Sequence, residues 1–487
     1  MRLRTLPVLA LCAAGLLPGG PLPARAGEPP ALVNGALEAW EGGLPAGWRR
    51  LEGARNRAGP DSRIERGAEG GVRLEGDSQV GGWQLLAQDV TVPAGSTVRL
   101  AFEGRLRGAR VDPGQFDNAH VAVRLPDVRG SQGLVARPVT SEGWAPGELV
   151  LRVPRGTLQV HLFLSKTGVL EVRRLALEVL EPAQSLDVLL RHMDLYYAHF
   201  PEPGGLDWDA HVARLRHRAE GARDEAAWLA LLKELLAPLG DLHVTLRDSG
   251  GGLHPTVTAQ PALNVDAQRL WAALSEPRRI GSVGLVSVPA EGLGYVAVTS
   301  LMGSEAEHRA LEEAWEGVLA SSRGLLVDLR GCVGGNEQRA WQLAARLVER
   351  PVTYARRRVR SGLARDAFGP WQDAVLRPSG RPPFPGPVVV LVGPGCASSG
   401  EALAKMLRER PGTLLVGQPT RGASGNPAPV ALPNGLEVSF SRWQDTLADG
   451  TPTEGRGVPP HELVDAHGPG DPTLARGLER LRERLGR

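Results

Sequence analysis

The sequence predicts a multidomain chain: an N-terminal antiparallel β-sandwich, a small helical bundle and an α/β core. Three observations carry this prediction. Between about residues 31 and 182, short stretches alternate apolar and polar residues, with Gly, Pro and Asp turns between them. From 183 to 246, apolar residues recur at three- and four-residue spacing. Further on, wholly apolar runs such as Val388-Val389-Val390-Leu391-Val392 precede Gly-rich turns and helical periodicity, the pattern of buried parallel strands.

Taken in order, the expected units are 1–26, 27–182, 183–246 and 247–487. The first has the make-up of an export leader: Arg2 and Arg4, an apolar run from Leu6 to Leu17, and Ala24-Arg25-Ala26 as a cleavage site. The run is short for a bilayer span, and Leu11 is too large for a lipidation box ahead of Cys12. A soluble mature chain, periplasmic or secreted, would start near Gly27. Strands are expected at 84–92, 97–105, 119–125, 147–153, 158–165 and 170–180. The opening Asn34-Gly35-Ala36-Leu37-Glu38 and Pro45-Ala46-Gly47-Trp48 resembles the start of galactose-binding-like jelly rolls. That resemblance implies a glycan contact through the sandwich, where Trp40, Trp48 and Trp83 could either stack on a sugar or fill the core.

Helices are expected over 185–200, 207–220 and 224–236, with Ser185, Asp207 and Asp224 as N-caps, leading into a strand over 243–247. The last unit then alternates strands at 293–300, 324–329, 388–392 and 414–417 with helices at 304–321, 336–349, 399–410 and 473–485, the last capped by Asp471. In such sheets, chemistry gathers at the carboxyl ends of the strands.

Composition narrows the function classes. The 487 residues carry 56 Lys+Arg against 54 Asp+Glu, and this near-neutral balance gives no reason to expect a nucleic-acid or anionic-membrane partner. Lysine is confined to Lys166, Lys233 and Lys405, so few residues could serve as a catalytic amine. No His, Cys or Asp cluster has metal-ligand spacing and no dinucleotide or P-loop fingerprint follows a strand, so no cofactor and no metal are expected.

Two strand ends share a design. In Asp328-Leu329-Arg330-Gly331-Cys332-Val333-Gly334-Gly335-Asn336, paired glycines let backbone N–H groups turn toward a ligand. In Gly393-Pro394-Gly395-Cys396-Ala397-Ser398-Ser399-Gly400-Glu401, a hydroxyl stands at the start of a helix, either as a plain N-cap or as a nucleophile. Cys332 and Cys396 lie in these turns, as two buried thiols or, if the strands are neighbours, as a disulfide.

Five motifs occur in order: Asp241-Leu242-His243, Asp328-Leu329-Arg330-Gly331 with Gly334-Gly335, Ser398 with Glu401, Gly417-Gln418-Pro419-Thr420 with Gly422, and Glu454-Gly455 with Gly457-Val458. Together, over about 185–485, they resemble the core of the C-terminal processing (tail-specific) and tricorn-type serine peptidases, a group that includes retinoid-binding relatives. The resemblance implies a crotonase-like ββα core and peptide-bond hydrolysis through an acyl-enzyme, with a protein or peptide as partner. It implies Ser398 as nucleophile. The processing branch takes its base from a Lys at the position of Ala423, whereas the tricorn-type branch uses a His, which His243 matches. Glu454 matches the acidic member, and Leu242 departs from the small polar residue usual before the His. For the oxyanion hole the choice is the N–H of Gly334 and of Ser399, because relatives often carry Pro, which lacks an N–H, at the position of Val333.

Read without the resemblance, Ser398 is a helix cap, His243 a structural or surface histidine and Glu454 a solvated carboxylate. Two other functions follow from the same fold: a non-catalytic protein that binds peptide, lipid or glycan, and an acyl-CoA enzyme of the crotonase type.

Overall fold

The structure is a computed structural model that describes residues 32–51, 63–77, 83–108, 119–126, 134–136, 143–165, 167–201, 205–287, 292–465 and 470–486. The expected leader, Cys12 and Lys166 lie outside these residues.

The N-terminal part is built from two five-stranded antiparallel sheets. One runs in the order Ala145–Val153, Ser96–Arg107, Thr167–Leu180, Val72–Asp77, Arg63–Arg66; the other runs Arg49–Arg50, Trp83–Thr91, Thr157–Ser165, Ala119–Arg124, Leu134–Ala136. Alternation turns Val98, Leu100 and Leu170 of the first toward Leu86, Leu158 and Leu162 of the second, giving a shared apolar core. Trp48 is buried in that core, and Trp40, partly buried, packs against it with its indole N–H donating to Leu37 O. Asn34 accepts the N–H groups of Glu38 and Ala39 on one oxygen, which makes the Asn-Gly opening a turn.

Three helices follow: α1 (Ser185–Tyr196), α2 (Trp208–Gly221) and α3 (Glu225–Leu236). Asp207 and Asp224 cap α2 and α3 as expected, each accepting a backbone N–H three residues on. Ser185 does not cap α1: it lies inside the helix, donating to Pro182 O and accepting from Asn434 N. Nor do the helices form a closed bundle. Their apolar faces share a core with Val430, Val438 and Phe440, from a four-stranded sheet ordered Leu253–Pro255, Thr245–Arg247, Glu437–Phe440, Ala428–Ala431. The expected boundary between residues 246 and 247 therefore cuts a strand, because the partner of that strand arrives from much later in the chain.

The central element is a seven-stranded sheet ordered Arg278–Ile280, Gly284–Ser287, Leu293–Val298, Gly324–Asp328, Val388–Val392, Thr413–Gly417, Glu462–Leu463. From Leu293–Val298 onward every pairing is parallel. The other helices are α4 (Ala267–Ala273), α5 (Glu305–Ser321), α6 (Glu337–Ala344), α7 (Ser399–Arg408) and α8 (Pro472–Arg484). One face of the sheet is covered by Trp315 of α5 and Leu403 and Met406 of α7, the other by Leu270 of α4 and Leu474 and Leu481 of α8. Burial on both faces is why Val388–Val392 tolerates no polar residue. Helix α6 ends five residues earlier than expected, since Leu347 and Val348 leave the helix to enter the core.

Helix α5 begins with a reciprocal cap in which Glu307 accepts the N–H of Ser304 and also that of Ser282, joining the helix to the turn before the sheet. These hydrogen bonds hold the Glu307 carboxyl down at about 2. A depressed folded-state value means that the stabilisation is complete above the ordinary Glu range and is lost as pH falls through about 2. Glu307→Gln should therefore lower the thermal midpoint at pH 7, and the gap from wild type should narrow as pH falls from about 4.5 toward 2; melting curves across this range check it.

Candidate active site

The two turns singled out by sequence face each other because their strands, Gly324–Asp328 and Val388–Val392, are hydrogen-bonded neighbours. Between the second strand and α7, Ser398 adopts φ 55° and ψ −126°, a backbone conformation sparsely populated by L-residues. Its hydroxyl makes no capping hydrogen bond, so the plain N-cap reading does not hold. The strained peptide is held from two sides. Ser398 N–H donates to Ala423 O at 2.7 Å, and Ala397 N–H donates to Cys332 O at 2.9 Å.

Gly334 closes the gap. Its φ is 89°, and a Cβ there would lie 2.7 Å from both Ala397 O and Ser398 Cβ, so only glycine fits. Ser399 Oγ donates to Gly335 O at 2.7 Å, locking the turns together. The N–H of Ser399 opens α7 beside Gly334, with no acceptor among the described residues. Val333 N–H is committed to Thr299 O at 3.2 Å. The backbone of Gly334 also lies against the Cys332 thiol and offsets part of the effect of its burial. Both cysteines are free and buried; burial pushes the Cys332 thiol up to about 12 and that of Cys396 well above the ordinary thiol range.

One turn along α7, Glu401 is fully buried. Its carboxylate accepts Thr420 Oγ1–H, Gly422 N–H at 2.7 Å and Ala423 N–H at 2.7 Å, and burial raises its pKa above the usual carboxylate range. Thr420–Ala423 is the turn that would carry the lysine of a processing peptidase, and Ala423 is buried there. Lys405 points away from Ser398 into a buried pair, with Nζ 3.0 Å from Asp445 Oδ2 and 2.8 Å from Thr453 Oγ1. Lys233 lies instead beside His254.

His243 is not on a strand as expected. Asp241 Oδ1 accepts its N–H at 2.8 Å, and Asp241 O accepts Val244 N–H, so Asp241 folds the chain into a side-chain-capped turn before the strand starts at Thr245. This turn brings Asp241 and His243 to Glu454, the three offering donor atoms within 4.8 Å of one another. Burial pushes the His243 imidazole below its ordinary range, against the opposing charge of Asp241, which keeps it neutral at pH 7. Burial and the nearby Asp241 charge push Glu454 up to about 8, while Ser424 offsets part of this by donating its N–H at 2.9 Å and its hydroxyl at 3.0 Å. The Tyr197 hydroxyl also faces Asp241. Glu454 and Ser398 are thus joined through two consecutive residues, Ser424 and Ala423. Sequence reasoning assigned no site role to Asp241 or Ser424; the Asp-x-His spacing was the available signal for the first, and nothing local marked the second.

Residues 292–464 match the model of peptidase family S41, a span that contains Gly334, Ser398, Glu401 and Glu454 and leaves out His243. No curated protein matches the chain. Among solved structures, a putative peptidase from Parabacteroides merdae is similar over 62% of this chain and 97% of its own, with 23% identity and a TM-score of 0.54. The photosystem II D1 C-terminal processing protease aligns over 62% and 97% with 16% identity and a TM-score of 0.40. Mature CPAF complexed with lactacystin aligns over the same shares with 12% identity and a TM-score of 0.44.

The Glu401 carboxylate should be indispensable to the local structure. Glu401→Ala leaves two buried N–H groups without acceptors and is expected to cost about 3 kcal/mol or more, with Glu401→Gln costing less; urea unfolding of both variants measures the difference.

Proposed function

We propose, from the match of residues 292–464 to the model of peptidase family S41, that this chain is an exported serine peptidase with Ser398 as nucleophile and His243 as general base. The observation that carries the proposal is the backbone of Ser398, held at positive φ between Ala423 O and Gly334 with its hydroxyl left uncapped. Such strain has no structural return here, since a serine with ordinary φ could start the same helix. A strand-to-helix turn of this kind holds a hydroxyl out toward substrate.

In the proposed reaction, neutral His243 takes the Ser398 proton as Oγ bonds to the scissile carbonyl carbon. The carbonyl oxygen becomes an oxyanion held by the N–H groups of Ser399 and Gly334. Protonated His243 then gives its proton to the leaving amine as the C–N bond breaks. Water, deprotonated by the same imidazole, hydrolyses the acyl-enzyme. Glu454 and Asp241 hold the histidine in place. Burial suits this work: a low-dielectric site strengthens each of these interactions. The sandwich is assigned to targeting or substrate approach. No helix among the described residues is long and apolar enough to cross a membrane.

Cleavage of an unstructured peptide by the mature protein tests the proposal. Ser398→Ala and His243→Ala should each lower kcat by about 10³-fold or more, and undiminished cleavage by either would remove that residue from the mechanism. Gly334→Ala, whose Cβ would strike Ser398 Cβ, should lose about 10²-fold or more in kcat through displacement of the nucleophile.

A further inference from the structure

Asp241, His243 and Glu454 have a second chemical capacity. Among the described residues, this group has donor atoms close enough to hold a metal ion together. Its own hydrogen bonding leaves gaps. Asp241 is 6% exposed, yet its Oδ2 and the Tyr197 hydroxyl that faces it both stop short of a hydrogen bond, and the enclosed His243 Nδ1 has no partner either. Buried polar atoms in native proteins are nearly always satisfied, so an unpartnered imidazole nitrogen beside an under-satisfied carboxylate leaves room for a further, cationic partner. An imidazole nitrogen with two carboxylate oxygens is a donor set suited to Zn²⁺ and poorly matched to Mg²⁺, which prefers oxygen ligands and retains water. Zinc binds such atoms at about 2.0–2.2 Å, so the three donors, now within 4.8 Å of one another, must draw closer to share the ion.

We propose that Asp241, His243 and Glu454 form a Zn²⁺ site, and that zinc bound there holds the peptidase inactive. The inhibitory half rests on His243 being the general base. It holds whichever ring nitrogen is used. Zinc on the nitrogen that would take the serine proton blocks proton transfer directly; zinc on the other withdraws electron density and leaves the first too weak a base. No bond to substrate is made or broken by the ion, which leaves when a chelator competes for it. The ion is a regulator and takes no part in hydrolysis.

Calorimetric titration of the full mature Ser398→Ala protein with ZnCl₂ tests the site without needing activity. One equivalent should bind, and adding Asp241→Asn or Glu454→Gln should weaken binding by about 100-fold or more, with MgCl₂ giving no heat. Folding of each variant is checked by its thermal midpoint, which zinc should raise in the Ser398→Ala parent and not in the ligand variants. In wild type, zinc should abolish peptide cleavage and EDTA should restore it. Absence of binding, or binding undiminished in both ligand variants, overturns the site. Binding in a wild-type protein that cleaves no peptide before zinc is added would uphold the site and defeat the peptidase reading, so the two failures are distinct.

Discussion

The buried carboxylate of Glu401 is the interaction on which the rest of the site depends. It stands one turn into α7 and gathers three donors from the Thr420–Ala423 turn, which ties that turn to the helix that Ser398 precedes. The consequence reaches both sides of the site. With Ala423 fixed, its carbonyl receives the Ser398 N–H and sustains the positive φ; with Ser424 next in the chain, its N–H and hydroxyl hold Glu454. Burying a carboxylate so completely is costly unless its oxygens are saturated, and here the saturation is also what aligns the site.

A second layer stiffens the first. The Thr420 and Val458 backbones are hydrogen bonded, and Gly457 comes so close that a Cβ would lie 2.1 Å from Thr420 O, which binds the acid-bearing loop to the Glu401 turn. Behind it, Lys405 and Asp445 form a buried pair, and Arg357 links Asp445 to Glu337 at the start of α6, beside the Gly334–Gly335 turn. Lysine is scarce in this chain, and the fully buried Lys405 serves as a brace. A brace fits the geometry, since its ammonium is occupied by Asp445 and Thr453.

Much of the fold was legible because its signals are local. Wholly apolar Val388–Val392 announced a strand buried on both faces, and Asp207, Asp224 and Asp471 announced helix starts. Other elements resisted for physical reasons. Val352–Val359 reads as a run of arginines, yet it forms a strand because its partners, Gln372–Leu376 and Trp443–Leu447, come from far along the chain and give those side chains acids and rings to meet. His243 looked like part of a strand because its neighbours alternate; the Asp241 side chain overrides that pattern by capturing the His243 N–H. The convergence of Asp241, His243 and Glu454 was out of reach of spacing, since the acid arrives through the sheet and the Ser424 contact.

The central claim is that this framework exists to present one activated hydroxyl. Reaction of the mature protein with a fluorophosphonate probe, followed by peptide mapping, tests it most directly. The account predicts a single adduct on Ser398 that forms rapidly in wild type and is lost when His243 is replaced by Ala. An adduct on Ser399 or Ser424, or labelling of Ser398 at the same rate without the histidine, would contradict it.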